Sequence, residues 1–111
     1  MRGEALNAEH LYQIVIYCEC IGRAVESLND EYDNFVNEKN KNTCDSCAFY
    51  VGKVGEYATK LTEKFRAEHS EIIWHQIIGL RNRIFHDYRS VKKATLWNIM
   101  REELGDTDDA R

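Results

Sequence analysis

A chain of 111 residues can bury one hydrophobic core but is too short to divide comfortably into two, so we predict a single domain over residues 1–111. Its 43% hydrophobic and 31% charged residues are typical of folded globular proteins and argue against a disordered chain, while the net charge of -4 argues against a general nucleic-acid binder. No apolar run approaches the roughly 20 residues that cross a bilayer, and residues 1–4 do not begin a secretory signal. We therefore expect a cytoplasmic protein without membrane contact.

Apolar residues recur at three- and four-residue spacing from about Asn7 to Leu28, which predicts an amphipathic first helix with Asn7 as its N-cap. A short apolar group around Phe35 predicts a second, brief helical stretch. The polar run 37–42 that follows predicts a loop.

Four cysteines, at positions 18, 20, 44 and 47, would suffice in number for two disulfides or one metal site. On a helix Cys18 and Cys20 lie about 200° apart, so they cannot both bind one zinc ion. Cys44-x-x-Cys47 alone is a weak zinc signal, because a structural site normally needs four convergent ligands. We expect reduced, partly buried thiols and no bound metal or cofactor, with a zinc or redox role as the alternative.

The next apolar stripe predicts a helix from Thr43, its expected N-cap, to about Phe65. Gly52 and Gly55 lie beside this stripe. Because glycine inside a helix costs roughly 1 kcal/mol relative to alanine, the two predict the close approach of a neighbouring helix or, as the alternative, of a ligand.

Two further helices are predicted, from about Glu71 to Tyr88 and from about Lys92 to Leu104, and the acidic residues 105–111 predict a frayed tail. The folded core should therefore span about residues 7–104. Long helices joined by short polar segments are typical of an all-α, antiparallel up-and-down bundle of four to five helices.

Three stripes run along the predicted helix 71–88. The apolar stripe, which should face the core, contains Ile73, Ile77, Leu80 and Ile84. The polar stripe contains His75, Gly79, Asn82, His86 and Arg89. The third stripe contains Trp74, Ile78, Arg81, Phe85 and Tyr88.

Arg81 and His86 are the candidate catalytic residues. Asn82 lies one turn from His86, where its amide could orient the imidazole, and Arg81 needs a partner for its charge among apolar neighbours. Five residues separate Arg81 from His86, which is about 140° around a helix, so the two do not converge readily within one chain. A twofold homodimer is the simplest way to bring them together.

These residue types suit cleavage of a phosphodiester in RNA. A histidine can take the proton of a ribose 2′-OH or give one to the leaving oxygen, and an arginine can bind the phosphate with two hydrogen bonds. The attacking group is already part of the substrate, so no metal is required. From the chemistry alone, a structural role for the pair stays open.

The segment from residue 81 to residue 93 is basic in an otherwise acidic chain, with five cations against the single acid Asp87. The local balance of +5 - 1 = +4 should attract a polyanion, although a solvated basic surface is an equal alternative. The residues expected to contact RNA are Arg83, Arg89, Lys92, Lys93 and, in a secondary role, His75.

Residues 74–88 resemble the signature of HEPN-domain proteins, specifically of the HepT-like toxins. In that signature an Arg, usually followed by a polar residue, is separated by four residues from a His, and a Tyr follows after one more residue. The four matching positions are Arg81, Asn82, His86 and Tyr88. Residues 54–58 also resemble the family's Ile-Gly-Glu-Ala block, and Trp97 matches an aromatic position in the last helix; the resemblance covers roughly residues 7–104.

The resemblance implies a HEPN-like helical bundle that forms a homodimer, with Arg81 and His86 acting as a metal-independent endoribonuclease at the dimer cleft. It also implies a toxin of a type VII-like toxin-antitoxin module, neutralised when a minimal nucleotidyltransferase adds AMP to Tyr88. The alternatives are a non-catalytic HEPN module that binds nucleotide or docks a nucleotidyltransferase, and a purely structural helical dimer.

Overall fold

The structure is a computed structural model and describes residues 2–104. These residues contain no strand, which confirms the predicted all-α class, and each of their helices is too short or too polar to span a membrane. The helices are α1 Arg2–Ser27, α2 Tyr32–Phe35, α3 Lys41–Ala58, α4 Glu63–Glu68, α5 Trp74–His86 and α6 Lys93–Ile99. Single turns of 3-10 helix, Glu38–Asn40 and Tyr88–Ser90, precede α3 and follow α5, and a π-helical turn, Met100–Leu104, continues α6. The predicted frayed tail, residues 105–111, lies outside the described residues.

The central element of the bundle is α3, which packs against both α1 and α5. Its direction is opposite to that of each neighbour. Asn7, near the start of α1, bonds to Thr62 beyond the end of α3, whereas Tyr17 contacts Phe49 in the middle of α3. The up-and-down arrangement predicted from short connections is therefore present in the three long helices.

The hydrophobic core is built from α1, α2, α3, α5 and α6. Ile77 and Leu80 of α5 are buried, and Ile73 and Ile84 pack against the core, so the predicted apolar stripe of this helix is confirmed. Trp97 of α6 is buried as well. Each such side chain contributes roughly 1.5–3 kcal/mol of transfer free energy when it leaves water.

Gly52 and Gly55 allow α5 to lie unusually close to α3, as their positions predicted. A Cβ atom at Gly52 would lie 2.7 Å from Cζ of Phe85. At Gly55 it would lie 3.0 Å from Cγ of Arg81 and 3.1 Å from the carbonyl oxygen of Ile77. Both glycines are therefore required by the contact between the two helices rather than by an unusual backbone conformation.

The single helix predicted over residues 43–65 is wrong, because α3 ends at Ala58 and α4 begins at Glu63. Asn7 contacts the chain at this break. It is not the N-cap of the first helix but a buried residue inside α1, and its side chain accepts a hydrogen bond from the Thr62 backbone N–H at 3.0 Å and donates one to the Thr62 hydroxyl at 3.1 Å. The same hydroxyl accepts from the Phe65 N–H at 3.1 Å, so Thr62 caps α4.

The boundary before α3 also differs from the prediction. The run 37–42, expected to be a loop, contains the 3-10 turn and the first residues of α3. Thr43 is accordingly not an N-cap, since α3 has already begun at Lys41. The side chain of Asn37 caps the 3-10 turn by accepting from the Lys39 N–H at 3.0 Å, a local bond that competes well with an open loop.

Replacing Gly55 by alanine should destabilise the protein, because the new methyl group would push Arg81 and the backbone of α5 away from α3. We expect the free energy of unfolding to fall by about 1–3 kcal/mol, measured by urea denaturation. Gly79→Ala is the matched control, since nothing lies within 4 Å of its Cβ position, and it should stabilise the same helix by up to about 1 kcal/mol. Equal effects of the two substitutions would contradict the packing role of Gly55.

Candidate active site

Arg81 lies where α5 faces α3, and the partner that its charge requires is Glu56. Nε donates to Oε2 of Glu56 at 2.8 Å, and Nη2 donates to the same oxygen. Nη1 donates to Oδ1 of Asn82 at 2.6 Å, while the ring centre of Phe85 lies 5.8 Å from Cζ of Arg81. The side chain of Arg81 is nevertheless 25% exposed, so solvent reaches an arginine whose orientation is fixed.

Two N–H groups of Arg81 remain for a ligand. A guanidinium carries five N–H donors, and three of them are used by Glu56 and Asn82, which leaves 5 - 3 = 2. One of these donors is on each terminal nitrogen. Such a pair matches two oxygens of a phosphate group.

The carboxylate of Glu56 is an integral part of this site. The guanidinium of Arg81 holds the pKa of Glu56 below its usual range, and the charges of Lys60, just beyond the end of α3, and Lys53, within it, lower it further. Glu56 is therefore ionised at neutral pH and cancels the charge of Arg81. The positive charge that remains near the site comes from other cations, among them Lys53, Lys60 and the other basic residues of the segment 81–93.

His86 is the last residue of α5 and is exposed to solvent. We predicted that the amide of Asn82 would orient its imidazole, but Asn82 bonds to Arg81 instead, because a charged guanidinium is the stronger donor. Among residues 2–104 none forms a hydrogen bond with the His86 ring. The exposed imidazole is therefore not committed to a partner among these residues, and an imidazole can exchange protons with a bound molecule.

Tyr88 does not continue α5 as predicted. The helix ends at His86, the backbone of Asp87 leaves the helical region at φ -157°, and Tyr88 starts a 3-10 turn. The Tyr88 hydroxyl donates to Oδ1 of Asp45 in α3 at 2.7 Å. The side chain of Tyr88 is thus anchored beside the first turns of α3 and remains 40% exposed.

The expected RNA-contacting residues divide into two groups. Arg83, Arg89, Lys92 and Lys93 are exposed near the end of α5, and within the described part of the chain none of them forms an ion pair. His75 is exposed at the opposite end of α5, eleven residues and so about 16 Å from His86 along the helix axis. The structure therefore does not bring His75 together with the other candidates.

The cysteines are free, and three of the four are buried. Burial raises the pKa of the Cys18 and Cys47 thiols to about 12, which keeps them protonated and unreactive. Cys20, on the other side of α1 from Cys18, is only half-buried, as the helical spacing predicted. In residues 2–104 no three His, Cys, Asp or Glu side chains come together as a metal would require.

Two residues of the site were missed at the sequence level. Glu56 had an indirect signal, because Arg81 needed an anionic partner and Glu56 belongs to the block 54–58 that resembles the family. Asp45 had none. It lies 43 residues before Tyr88, and only the packing of α3 against α5 brings the two together.

Comparison with known proteins gives a family match over most of the chain. Residues 9–110 match the family described as Ribonuclease HepT-like. A candidate RNase of Methanocaldococcus jannaschii is 27% identical over 95 residues, covering 85% of this chain and 83% of the relative. A probable ribonuclease HepT of Thermococcus cleftensis is 24% identical over 93 residues, covering 79% and 83%.

A candidate RNase of Caldanaerobacter subterraneus subsp. tengcongensis is 31% identical over a shorter stretch of 51 residues, which covers 46% of each chain. No solved structure matches the chain.

The Arg81–Glu56 pair should make stability depend on pH. Because the pKa of Glu56 is lower in the folded state, the pair stabilises the fold above the ordinary glutamate pKa, about 4.3, and its contribution is lost as the pH falls through the folded value. At pH 7 we expect the free energy of unfolding of Glu56→Gln to be lower than that of the wild type by about 1 kcal/mol or less, which thermal unfolding would show as a lower melting temperature. This difference should shrink at pH 3. Glu68→Gln, which alters only a surface pair with Lys64 at 4.0 Å, is the control and should change little. A Glu56→Gln deficit of the same size at both pH values would contradict the assignment.

Proposed function

The chain belongs to the ribonuclease HepT-like family, and from this premise we propose that it is an endoribonuclease whose catalytic residues are Arg81 and His86. The observation that carries the proposal is the fixed orientation of the Arg81 guanidinium together with its two unused N–H groups. Glu56 and Asn82 fix its guanidinium, and it retains one free N–H on each terminal nitrogen. His86 follows five residues later at the exposed end of the same helix, so a phosphate-binding group and a proton-transfer group lie on one short segment.

In the proposed reaction the ribose 2′-oxygen attacks the adjacent phosphorus, and the bond from phosphorus to the 5′-oxygen breaks. His86 takes the proton of the 2′-OH or gives one to the leaving oxygen, and an imidazole can serve in either step. Arg81 donates its two free N–H groups to the phosphate oxygens as negative charge develops on them. The nucleophile belongs to the substrate, so no metal-bound water is needed.

A homodimer is part of the proposal, because the directions of Arg81 and His86 differ by about 140° around α5. A second copy related by a twofold axis would place His86 of one protomer beside Arg81 of the other. The surface next to Arg81 is suited to such a contact. Phe85, whose ring centre lies 5.8 Å from Cζ of Arg81, is 42% exposed, and large exposed aromatic side chains are typical of interaction surfaces.

We further propose that the chain is the toxin of a toxin-antitoxin module and that a minimal nucleotidyltransferase neutralises it by adding AMP to Tyr88. The resemblance at Tyr88 suggests the modification, and the 40% exposure of this side chain makes it accessible. An adenylate two residues beyond His86 would place negative charge and bulk beside the site, where it would repel the phosphates of RNA.

The second candidate function is binding of a nucleotide, or docking of a nucleotidyltransferase, without cleavage. It is favoured by Arg83, Arg89, Lys92 and Lys93, which are exposed and unpaired among the described residues and could hold phosphates by charge alone. The two functions differ in whether His86 is needed. A binding module needs the basic residues, whereas a nuclease also needs the imidazole.

The protein should cleave total RNA in the presence of a chelator of divalent metals, and His86→Ala should reduce the cleavage rate by at least about 100-fold, as loss of a general acid or base does. His69→Ala, which removes a half-buried histidine at the end of α4, is the matched control and should cleave like the wild type. Cleavage is followed by electrophoresis of labelled RNA. If wild type and His86→Ala are equally inert while both bind nucleotide, the second candidate function is correct.

A site shared between protomers predicts complementation between two inactive variants. Arg81→Ala and His86→Ala should each be inactive, but a mixture that exchanges subunits should recover up to about a quarter of the wild-type rate. Half of the dimers are then mixed, and each has one intact site of two. If mass spectrometry shows that the subunits exchange but the mixture recovers no cleavage activity, Arg81 and His86 act within one chain.

Co-expression with the partner nucleotidyltransferase should add about 329 Da per AMP to the chain, and peptide mass spectrometry should locate the added mass on Tyr88. Tyr88→Phe should gain no mass and should escape inactivation by the partner. An inactivated complex in which Tyr88 is unmodified would refute this part of the proposal.

A further inference from the structure

Tyr88, Asp45 and Lys41 form a chain of hydrogen bonds apart from the pair Arg81 and His86. The Tyr88 hydroxyl donates to Oδ1 of Asp45 at 2.7 Å. Nζ of Lys41, one turn earlier in α3, donates to Oδ2 of the same carboxylate at 3.0 Å. Each oxygen of Asp45 therefore has one partner, and Lys41 fixes the orientation of the carboxylate toward the phenol.

This arrangement has the components of an activated nucleophile. In enzymes that form a covalent bond through a hydroxyl group, the hydroxyl bonds to a base and a third group orients the base. Here Tyr88 supplies the hydroxyl, Asp45 the base and Lys41 the orienting charge.

The electrostatics of the cluster keep the proton on Tyr88 until a reaction occurs. Burial raises the pKa of Tyr88 above its usual range, and the hydrogen bond to Asp45 and its charge raise it further. The hydrogen bond from Tyr88, followed by that from Lys41, holds the pKa of Asp45 below its usual range. At neutral pH a neutral phenol thus faces an ionised carboxylate, and the proton must be removed while the new bond forms.

The cluster is open to an incoming reactant. Tyr88 is 40% exposed, and the side chains of Asp45 and Lys41 are 42% and 63% exposed. These three side chains therefore lie on the surface, where a modifying enzyme could contact them. The hydroxyl and its base are contributed by this chain, so a modifying enzyme would need to bring only the electrophile.

We propose that Asp45 is the general base for nucleotidyl transfer to Tyr88, an inference that rests on the modification proposed above. Oη of Tyr88 forms a bond to the α-phosphorus of a nucleoside triphosphate, and the bond from that phosphorus to the bridging oxygen of pyrophosphate breaks. Pyrophosphate leaves with the bonding electron pair. The phenolic proton passes to Oδ1 of Asp45, much as an aspartate accepts the hydroxyl proton of the substrate in protein kinases.

The test measures the initial rate at which the purified partner nucleotidyltransferase transfers label from ATP, labelled on its α-phosphate, to the full chain. Asp45→Asn keeps a hydrogen-bond acceptor for Tyr88 but removes the base, and we expect its rate to fall by about 100-fold or more. Asp45→Glu keeps a carboxylate and should recover part of the rate. Tyr88→Phe gives the background, and cleavage of RNA by unmodified Asp45→Asn shows that the variant is folded.

The outcomes separate this inference from the proposal on which it rests. If the wild type accepts no label, both the modification of Tyr88 and the role of Asp45 are wrong. If the wild type is labelled and Asp45→Asn reacts at the same rate, only the role of Asp45 is wrong and the base belongs to the partner enzyme. If Asp45→Ala is slow but Asp45→Asn is not, Asp45 only positions Tyr88, and the inference is also overturned. If folded Asp45→Glu is as slow as Asp45→Asn, the carboxylate is not the cause.

Discussion

The close contact between α3 and α5 is the constraint on which the rest of the structure depends. Two glycines on α3 leave room for the Arg81 stem and the Phe85 ring, and side chains at those positions would force α5 outward. The contact brings Arg81 to Glu56 and, farther along, Tyr88 to Asp45. Each of these pairs therefore joins a residue of α3 to α5 or to the 3-10 turn that follows it, and both depend on how closely the two helices pack.

The charges around Arg81 have two opposing effects: they fix the orientation of its guanidinium, and they reduce its attraction for anions. Glu56 and Asn82 fix the guanidinium, which would reduce the entropy that Arg81 loses in the proposed binding of a phosphate. The same carboxylate cancels the positive charge of Arg81, so in the proposed function long-range attraction of a polyanion would depend on other cations, among them Arg83, Arg89, Lys92 and Lys93. Attraction and chemistry would then be assigned to different residues, which is consistent with an acidic chain that carries one basic segment.

The periodicity of apolar residues predicted the structural features that depend on the spacing of nearby residues along the chain. It predicted the buried stripe with Ile77 and Leu80, and the cost of mid-helix glycine predicted the contact at Gly52 and Gly55. It failed where distant residues decide the structure: the bonds of Asn7 to Thr62 are associated with the break between α3 and α4, and they join positions 55 residues apart. The contact of Asp45 with Tyr88 was not predicted for the same reason, since 43 residues separate the two. Asn82 was expected to bond to His86, but its side chain accepts a hydrogen bond from the charged Arg81 instead.

The bonds between Asn7 and Thr62 also bear on the order in which the chain folds. They close a loop of more than fifty residues, and closing a loop of that length costs more chain entropy than forming a turn of helix. Contacts of this kind gain nothing until both ends are already near each other. The first turns of α1 and the junction before α4 should therefore become ordered late, after α3 and α5 have met. Arg81 and His86 on α5 would then be in place before the bonds at the amino-terminal end of the bundle form.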